Sequence, residues 1–171
     1  MSPPGTLPIV DLESVLEPLA PRLLAYCLAC ADRRQDAEEA AQDALVALVQ
    51  RWRRHGPPEN PDAFAFVVAR RRLRRAAVRR WLLRPLATDR DEGASSAFAG
   101  PVEARIELER TLRALATLSA GDRQTLLLVA VAELPTAEAA RVMNLSVSAV
   151  KMRVHRARQR LRHMLDGDRD G

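Results

Sequence analysis

Apolar positions recur at helical spacing along most of the chain, and nowhere do they alternate as a half-buried strand requires. From Asp36 to Trp52 the stripe Ala37, Ala41, Ala44, Leu45, Leu48 and Trp52 keeps the rhythm of a helix face turned to a core. The run RHGPPENP that follows breaks the helix, because proline lacks an N–H and clashes with the preceding turn. A second helix is predicted from about Asp62 to Trp81, with Phe66, Ala69, Leu73, Ala77 and Trp81 on its inner face. From Leu82 to about Val102, Pro, Gly, Ser and acidic residues cluster as a linker, and from Glu103 to about Leu165 the pattern is helical again. The last residues, DGDRDG, read as a frayed tail. The pattern predicts an all-α fold: two small helical domains, residues 1–81 and 103–165, on a flexible linker, residues 82–102, with a tail at 166–171.

The sharpest local signal lies near the C-terminus. A short helix, Thr136 to Met143, is followed by Asn144, which tolerates the left-handed conformation that ends a helix, and by Ser146, a good N-cap for the next one. Ala137, Ala140, Leu145, Val150 and Val154 are small or aliphatic where two crossing helices would touch. This is the pattern of a helix-turn-helix, whose second helix enters the major groove. On that second helix Val150, Val154, Ala157 and Leu161 share one side. Ser148, Met152, His155 and Gln159 lie opposite, flanked by Lys151 and Arg156 and, farther round, by Arg153 and Arg158. The early turns therefore offer base-edge readers in Ser148, Lys151, Met152, His155 and Arg156, with arginines beside them for phosphates.

Charge extends the same reading upstream. The 171 residues carry a net charge of +5, and Lys151 is the only lysine, so the chain is basic through arginine, whose rigid fork suits phosphates. The stretch Arg70 to Arg80 holds seven arginines and no acid, with Arg71, Arg72, Arg75 and Arg79 away from the apolar side. So many like charges on adjacent turns repel, which points to a nucleic-acid partner that offsets them. On the preceding helix Glu39, Gln42, Asp43 and Val46 stand opposite the apolar stripe as a candidate protein-docking surface. Cys27 and Cys30 lie in an apolar stretch where cysteine packs as a small hydrophobe. His55, His155 and His163 are not at zinc-finger spacing, so no metal is expected. No Gly-rich phosphate loop or carboxylate–histidine cluster appears, so neither a cofactor nor catalysis is expected. With no apolar run of membrane-spanning length and no signal-like N-terminus, a cytoplasmic protein without membrane insertion is expected.

The string LPTAEAARVMNLSVSAVKMRVHRAR resembles the fourth conserved region of bacterial RNA polymerase sigma factors of the extracytoplasmic-function group, and LATLSAGDRQTLLLVAVAEL resembles its leading helices. DAEEAAQDALVALVQRW and NPDAFAFVVARRRLRR resemble the polymerase-binding and promoter-opening helices of region 2. The resemblance covers nearly the whole chain in the right order. It implies a promoter-specificity subunit whose Glu39, Gln42, Asp43 and Val46 dock on the β′ clamp helices of core RNA polymerase, with further contact to the β flap. Arg70, Arg71, Arg74 and Arg75 would hold promoter DNA near the minus-ten element, and the loop carrying His55, Glu59 and Asn60 would capture an extruded base. Ser148, Lys151, Met152, Arg153, His155 and Arg156 would read the minus-thirty-five element, and an anti-sigma factor would hold the protein inactive. The melting helix departs from the group in offering only Arg and Leu where Asn and Asp are frequent. Pro135 also stands in place of a capping hydroxyl, and Asn144 in place of glycine. The rival readings are a stand-alone helix-turn-helix regulator, which has no need of the acidic patch, and a thiol oxidoreductase using Cys27 and Cys30, which no βαβ pattern supports.

Overall fold

Alanine sets the geometry of the first three helices. The computed structural model describes residues 11–83 and 102–167, and its first helices are α1 (Leu12–Cys30), α2 (Arg34–His55) and α3 (Pro61–Leu83). Ala37, Ala40, Ala41 and Ala44 of α2 and Ala63, Ala65 and Ala69 of α3 are buried, so the two backbones approach closely. Bulk comes from Leu19, Leu23, Leu48, Tyr26 and Phe66, all fully buried, with Tyr26 edge-on to Phe66 at 5.3 Å between ring centroids. Truncating a buried phenylalanine such as Phe66 to alanine costs about 3–5 kcal/mol. Pro18 and Pro21 sit inside α1, where each removes one backbone hydrogen bond.

The helix ends follow from local chemistry. Arg53, Arg54 and His55 oppose the dipole at the end of α2, and Gly56 closes it at φ +77°. A Cβ on Gly56 would meet nothing, so the positive φ alone favours glycine there. Asn60 caps α3, its Oδ1 accepting from the Ala63 N–H at 2.9 Å, and Pro61 opens the first turn.

Four helices follow: α4 (Val102–Ala116), α5 (Ala120–Ala130), α6 (Thr136–Met143) and α7 (Val147–Gly167). Ser119 caps α5, accepting from the Asp122 N–H at 3.1 Å. Asn144 is left-handed at φ 55°, ψ 51°. The Leu145 N–H bonds the Ala140 carbonyl at 3.0 Å and the Asn144 N–H bonds that of Arg141 at 3.2 Å, a Schellman closure. Ser146 then caps α7 through the Ala149 N–H at 3.2 Å. The α6–α7 unit is thus the helix-turn-helix that the sequence predicts, and α6 starts at Thr136 although Pro135 offers it no side-chain cap.

Two inner faces need correction. Ala77 is exposed and Trp81 is 72% exposed, because α3 runs on past the helices that cover Phe66, Ala69 and Leu73. Ala137 is exposed as well, and Ala139 takes its place in the core beside Ala140. The described residues contain no strand, in keeping with an all-α fold. Of the expected linker, residues 84–101 lie outside the described residues, as do residues 168–171 of the expected tail.

The two halves pack on each other, α1 against α5 and α3 against α6, and their buried residues form one continuous core. One guanidinium anchors this junction: Arg22 pairs with Asp62, bonds the Pro18 carbonyl (3.2 Å) and reaches the Ala132 carbonyl (3.1 Å) across the divide. Arg123 of α5 donates to the Cys30 carbonyl at 3.4 Å, and Arg141 of α6 lies 4.0 Å from Glu59.

Candidate nucleic-acid interface

Four regions gather the residues singled out from the sequence. On α2, Glu39, Gln42 and Val46 are exposed, as expected of a docking face. Glu39 accepts from the Gln35 amide at 2.9 Å, an i,i+4 bond that holds the carboxylate on the surface. Asp43 is 45% exposed and pairs with Arg72 of α3 at 3.2 Å, so this face is electrostatically tied to the arginine helix behind it.

The seven arginines of α3 divide by position. Arg70 is part-buried and donates to Gln124 of α5 at 3.3 Å, Arg72 meets Asp43, and Arg80 bonds Asp36 (2.5 Å) and Asp32 (2.7 Å). Acids of the same half therefore offset part of the repulsion. Arg71, Arg74, Arg75 and Arg79 form no ion pair or hydrogen bond among the described residues. With Val78 and Leu82 they line a cleft of about 640 Å³, a cationic wall with apolar patches. Arg71, Arg74 and Arg75 thus stand together on one exposed face, while Arg70 turns away toward α5.

His55, at the end of α2, and Glu59, in the loop that follows, are exposed. Asn60 is not free, since capping α3 uses its side-chain oxygen. The loop borders a cleft of about 620 Å³ whose walls include Trp52, Pro57, Pro58, Pro61 and Asp62.

On α7, Val150, Val154 and Ala157 are buried, and Ser148, Lys151, Met152, His155 and Arg156 are exposed on other sides of the helix. The Ser148 hydroxyl lies 3.0 Å from that of Ser146, which orients it at the helix start. Arg153 is half-buried, its guanidinium against the first turn of α5, where a Cβ on Gly121 would lie 2.6 Å from Arg153 Nη1. It lies against α5 and is less exposed than Lys151, Met152 and Arg156.

Cys27 and Cys30 are reduced and buried, and burial pushes both thiols up to about 12. The Tyr26 hydroxyl beside them is also raised well above its usual value, chiefly by desolvation. At neutral pH these thiols stay protonated, unlike the thiolates of thiol chemistry. No group of three or more possible metal ligands occurs among the described residues, and no described helix is long and apolar enough to cross a membrane.

Sequence reasoning did not single out Arg22, Arg123, Gln124 or Arg141, because their importance comes from partners far away in the chain. It also went no further than Arg158 and Gln159 on α7, although the helical period that found the reading face continues past them. There Arg156, Gln159, Arg160, Arg162 and His163 line a cleft of about 400 Å³.

Residues 15–82 match the family model described as sigma-70 region 2, and residues 108–161 match that of sigma-70, region 4. Over 67 residues the chain is 43% identical to RNA polymerase sigma factor CnrH of Cupriavidus metallidurans, a stretch covering 39% of this chain and 35% of that protein. The match thus spans about a third of that curated relative. The fold resembles the sigma factor RpoE in complex with the anti-sigma factor NepR from Bartonella quintana. That likeness has a TM-score of 0.75 at 23% identity, over 91% of this chain and 97% of the other. It also resembles CnrH in complex with the cytosolic domain of CnrY, with a TM-score of 0.64 at 25% identity over 92% and 88%.

Proposed function

Because the chain belongs to the sigma-70 family of RNA polymerase sigma factors, with region 2 matching residues 15–82 and region 4 matching 108–161, we propose that it directs RNA polymerase to a particular set of promoters. The observation that carries this reading is the presence, in one chain and in family order, of an acidic α2 face, an arginine-lined α3 face and a basic helix-turn-helix. The protein is a regulatory subunit without catalysis of its own and works in the cytoplasm.

In this reading Glu39, Gln42, Asp43 and Val46 dock on the β′ clamp helices, where basic side chains replace Arg72 as the partner of Asp43. Arg71, Arg74 and Arg75 hold the distorted or single-stranded minus-ten DNA through its phosphates, and Arg70 joins them once released from Gln124. His55 and Glu59 edge the loop that receives an extruded base, and Asn60 supports that loop by capping α3. Ser148, Lys151, Met152, His155 and Arg156 read the minus-thirty-five element, with Arg153 bracing their helix, while region 4 also meets the β flap.

Distance adds a requirement. Elements about 25 base pairs apart are separated by roughly 85 Å at 3.4 Å per pair. A folded chain of this size has a radius of gyration of only about 16 Å. The halves, residues 1–81 and 103–165, must therefore part along the linker, breaking the bonds of Arg22, Arg123 and Arg141 across the divide. The packed arrangement is the one an anti-sigma factor would hold, and one solved structure it resembles is a sigma factor in complex with an anti-sigma factor.

The test is comigration of the purified chain with bacterial core RNA polymerase on gel filtration, with Asp43→Arg as the control. Comigration that the charge reversal abolishes is expected. A folded chain that never comigrates would overturn the reading in favour of a stand-alone regulator.

A further inference from the structure

The base-reading roles on α7 end at Arg156, with Arg158 and Gln159 only placed beside them, yet the helix continues to Gly167. At 100° per residue, Gln159 and His163 fall on the same side as Met152, opposite the buried Val150, Val154 and Ala157, with Arg160 and Arg162 to either side. Arg156, Gln159, Arg160, Arg162 and His163 line one cleft, so the outward face of the reading turns runs on as a single cationic surface.

This surface differs from an ordinary solvated helix face, where acids are interspersed and pair with cations a turn away. From Ala139 to Leu165 there is no acidic residue. Arg156, Arg162 and His163 form no ion pair or hydrogen bond among the described residues. Arg160 lies 4.0 Å from Asp122 of α5, at the limit of an ion pair, and is 62% exposed.

Distance along the helix then selects the ligand. A major groove is about 12 Å wide. Arg160 and Arg162 lie about 12–15 Å along the axis from Met152 at 1.5 Å per residue. A helix whose early turns touch base edges therefore brings this second set to the sugar–phosphate ridge that borders the groove.

We propose that the C-terminal half of α7, through Gln159, Arg160, Arg162 and His163, is a second DNA-binding surface that grips the backbone bordering the upstream element without reading bases. The proposal rests on region 4 binding promoter DNA through the early turns of α7. Guanidiniums of Arg160 and Arg162 bond phosphate oxygens, while the Gln159 amide and the His163 ring donate further N–H groups. The surface is continuous with the base-reading turns, which favours DNA over an acidic protein as its ligand.

The test uses the full chain, a fluorescent 30-base-pair duplex of random sequence, and titrations over a series of salt concentrations. Arg160→Gln combined with Arg162→Gln is expected to weaken duplex binding several-fold. It should also lower the slope of log K against log salt by roughly 0.9 for each phosphate that is no longer neutralised. Selection from a random duplex library should return the same sequence for variant and parent. An unchanged slope overturns the proposal, as does a changed selected sequence, which would make these residues base readers. Intact DNA binding with weakened polymerase binding overturns it too, by making the surface a protein dock. Arg156→Ala separates the two levels of the argument: if it weakens duplex binding and the double variant does not, only this proposal fails. If neither changes binding, the DNA-reading role of α7 fails with it.

Discussion

Helices α3 and α7 are both rich in arginine, but α3 ties up part of that charge inside the protein and α7 very little of it. In α3, Arg70, Arg72 and Arg80 are engaged inside the protein, by Gln124, by Asp43, and by Asp32 with Asp36. In α7, Arg153 is braced against α5 and Arg160 is near Asp122, but Lys151, Arg156, Arg158 and Arg162 have no partner among the described residues. Basic composition alone does not distinguish a cation that assembles a fold from one that awaits an anion. The neighbours decide it: α3 packs beside the acid-bearing α2, whereas acids are missing from α6 beyond Glu138 and from α7 until Asp166.

The contrast can be broken most severely at the unpaired side of α3. Replacing Arg71 and Arg75 with alanine together should reduce promoter opening by about tenfold and flatten its salt dependence. Thermal stability should stay within about 0.5 kcal/mol of the parent, since both side chains are exposed and unpaired. Permanganate reactivity of melted thymines reads the first effect and a thermal scan the second; unchanged opening would remove the role.

A smaller effect is expected on the paired side. Arg80→Ala should cost about 1 kcal/mol of stability, because it leaves Asp32 and the largely buried Asp36 without their shared partner. Arg158→Ala on α7 should leave the urea midpoint unmoved. Equal shifts for the two variants would erase the distinction between the helices.

The smallest change at neutral pH concerns the cysteines, which lie on α1 and have no counterpart in the second half. Their thiols are raised from 9.0 to about 12 in the folded chain, chiefly by burial. The unfolded chain releases these protons first, so the stabilisation is complete below about pH 9 and fades as pH climbs toward 12. Cys27→Ala with Cys30→Ala should flatten this alkaline loss in denaturant titrations while leaving transcription at pH 7 nearly unchanged. A sharp loss of transcription from a folded variant would revive a thiol role.

Legibility in the sequence follows the range of the physics involved. The α6–α7 turn is readable to the residue, because Asn144 and Ser146 act on backbone groups within a few positions of themselves. Periodicity finds α2 and α3 but places Ala77 and Trp81 inside, since a repeat in the sequence says which side faces inward and not where the covering helices stop. The loop reading singles out Asn60, but not that its side-chain oxygen caps α3. The packing of the halves is not legible at all. Arg22, Arg123 and Gln124 look like ordinary polar residues of amphipathic helices, and only folding brings their partners across the chain.

In genetic terms, Arg22 joins two functions that the sequence keeps apart. Its guanidinium fastens the start of α3 through Asp62 and the α5–α6 turn through the Ala132 carbonyl, while its own helix belongs to the first half. A substitution at this codon therefore frees the base of α3 and the entry to α6 together. Mapped by phenotype, position 22 would collect gain-of-function alleles, since parting of the halves is what the proposed promoter binding requires.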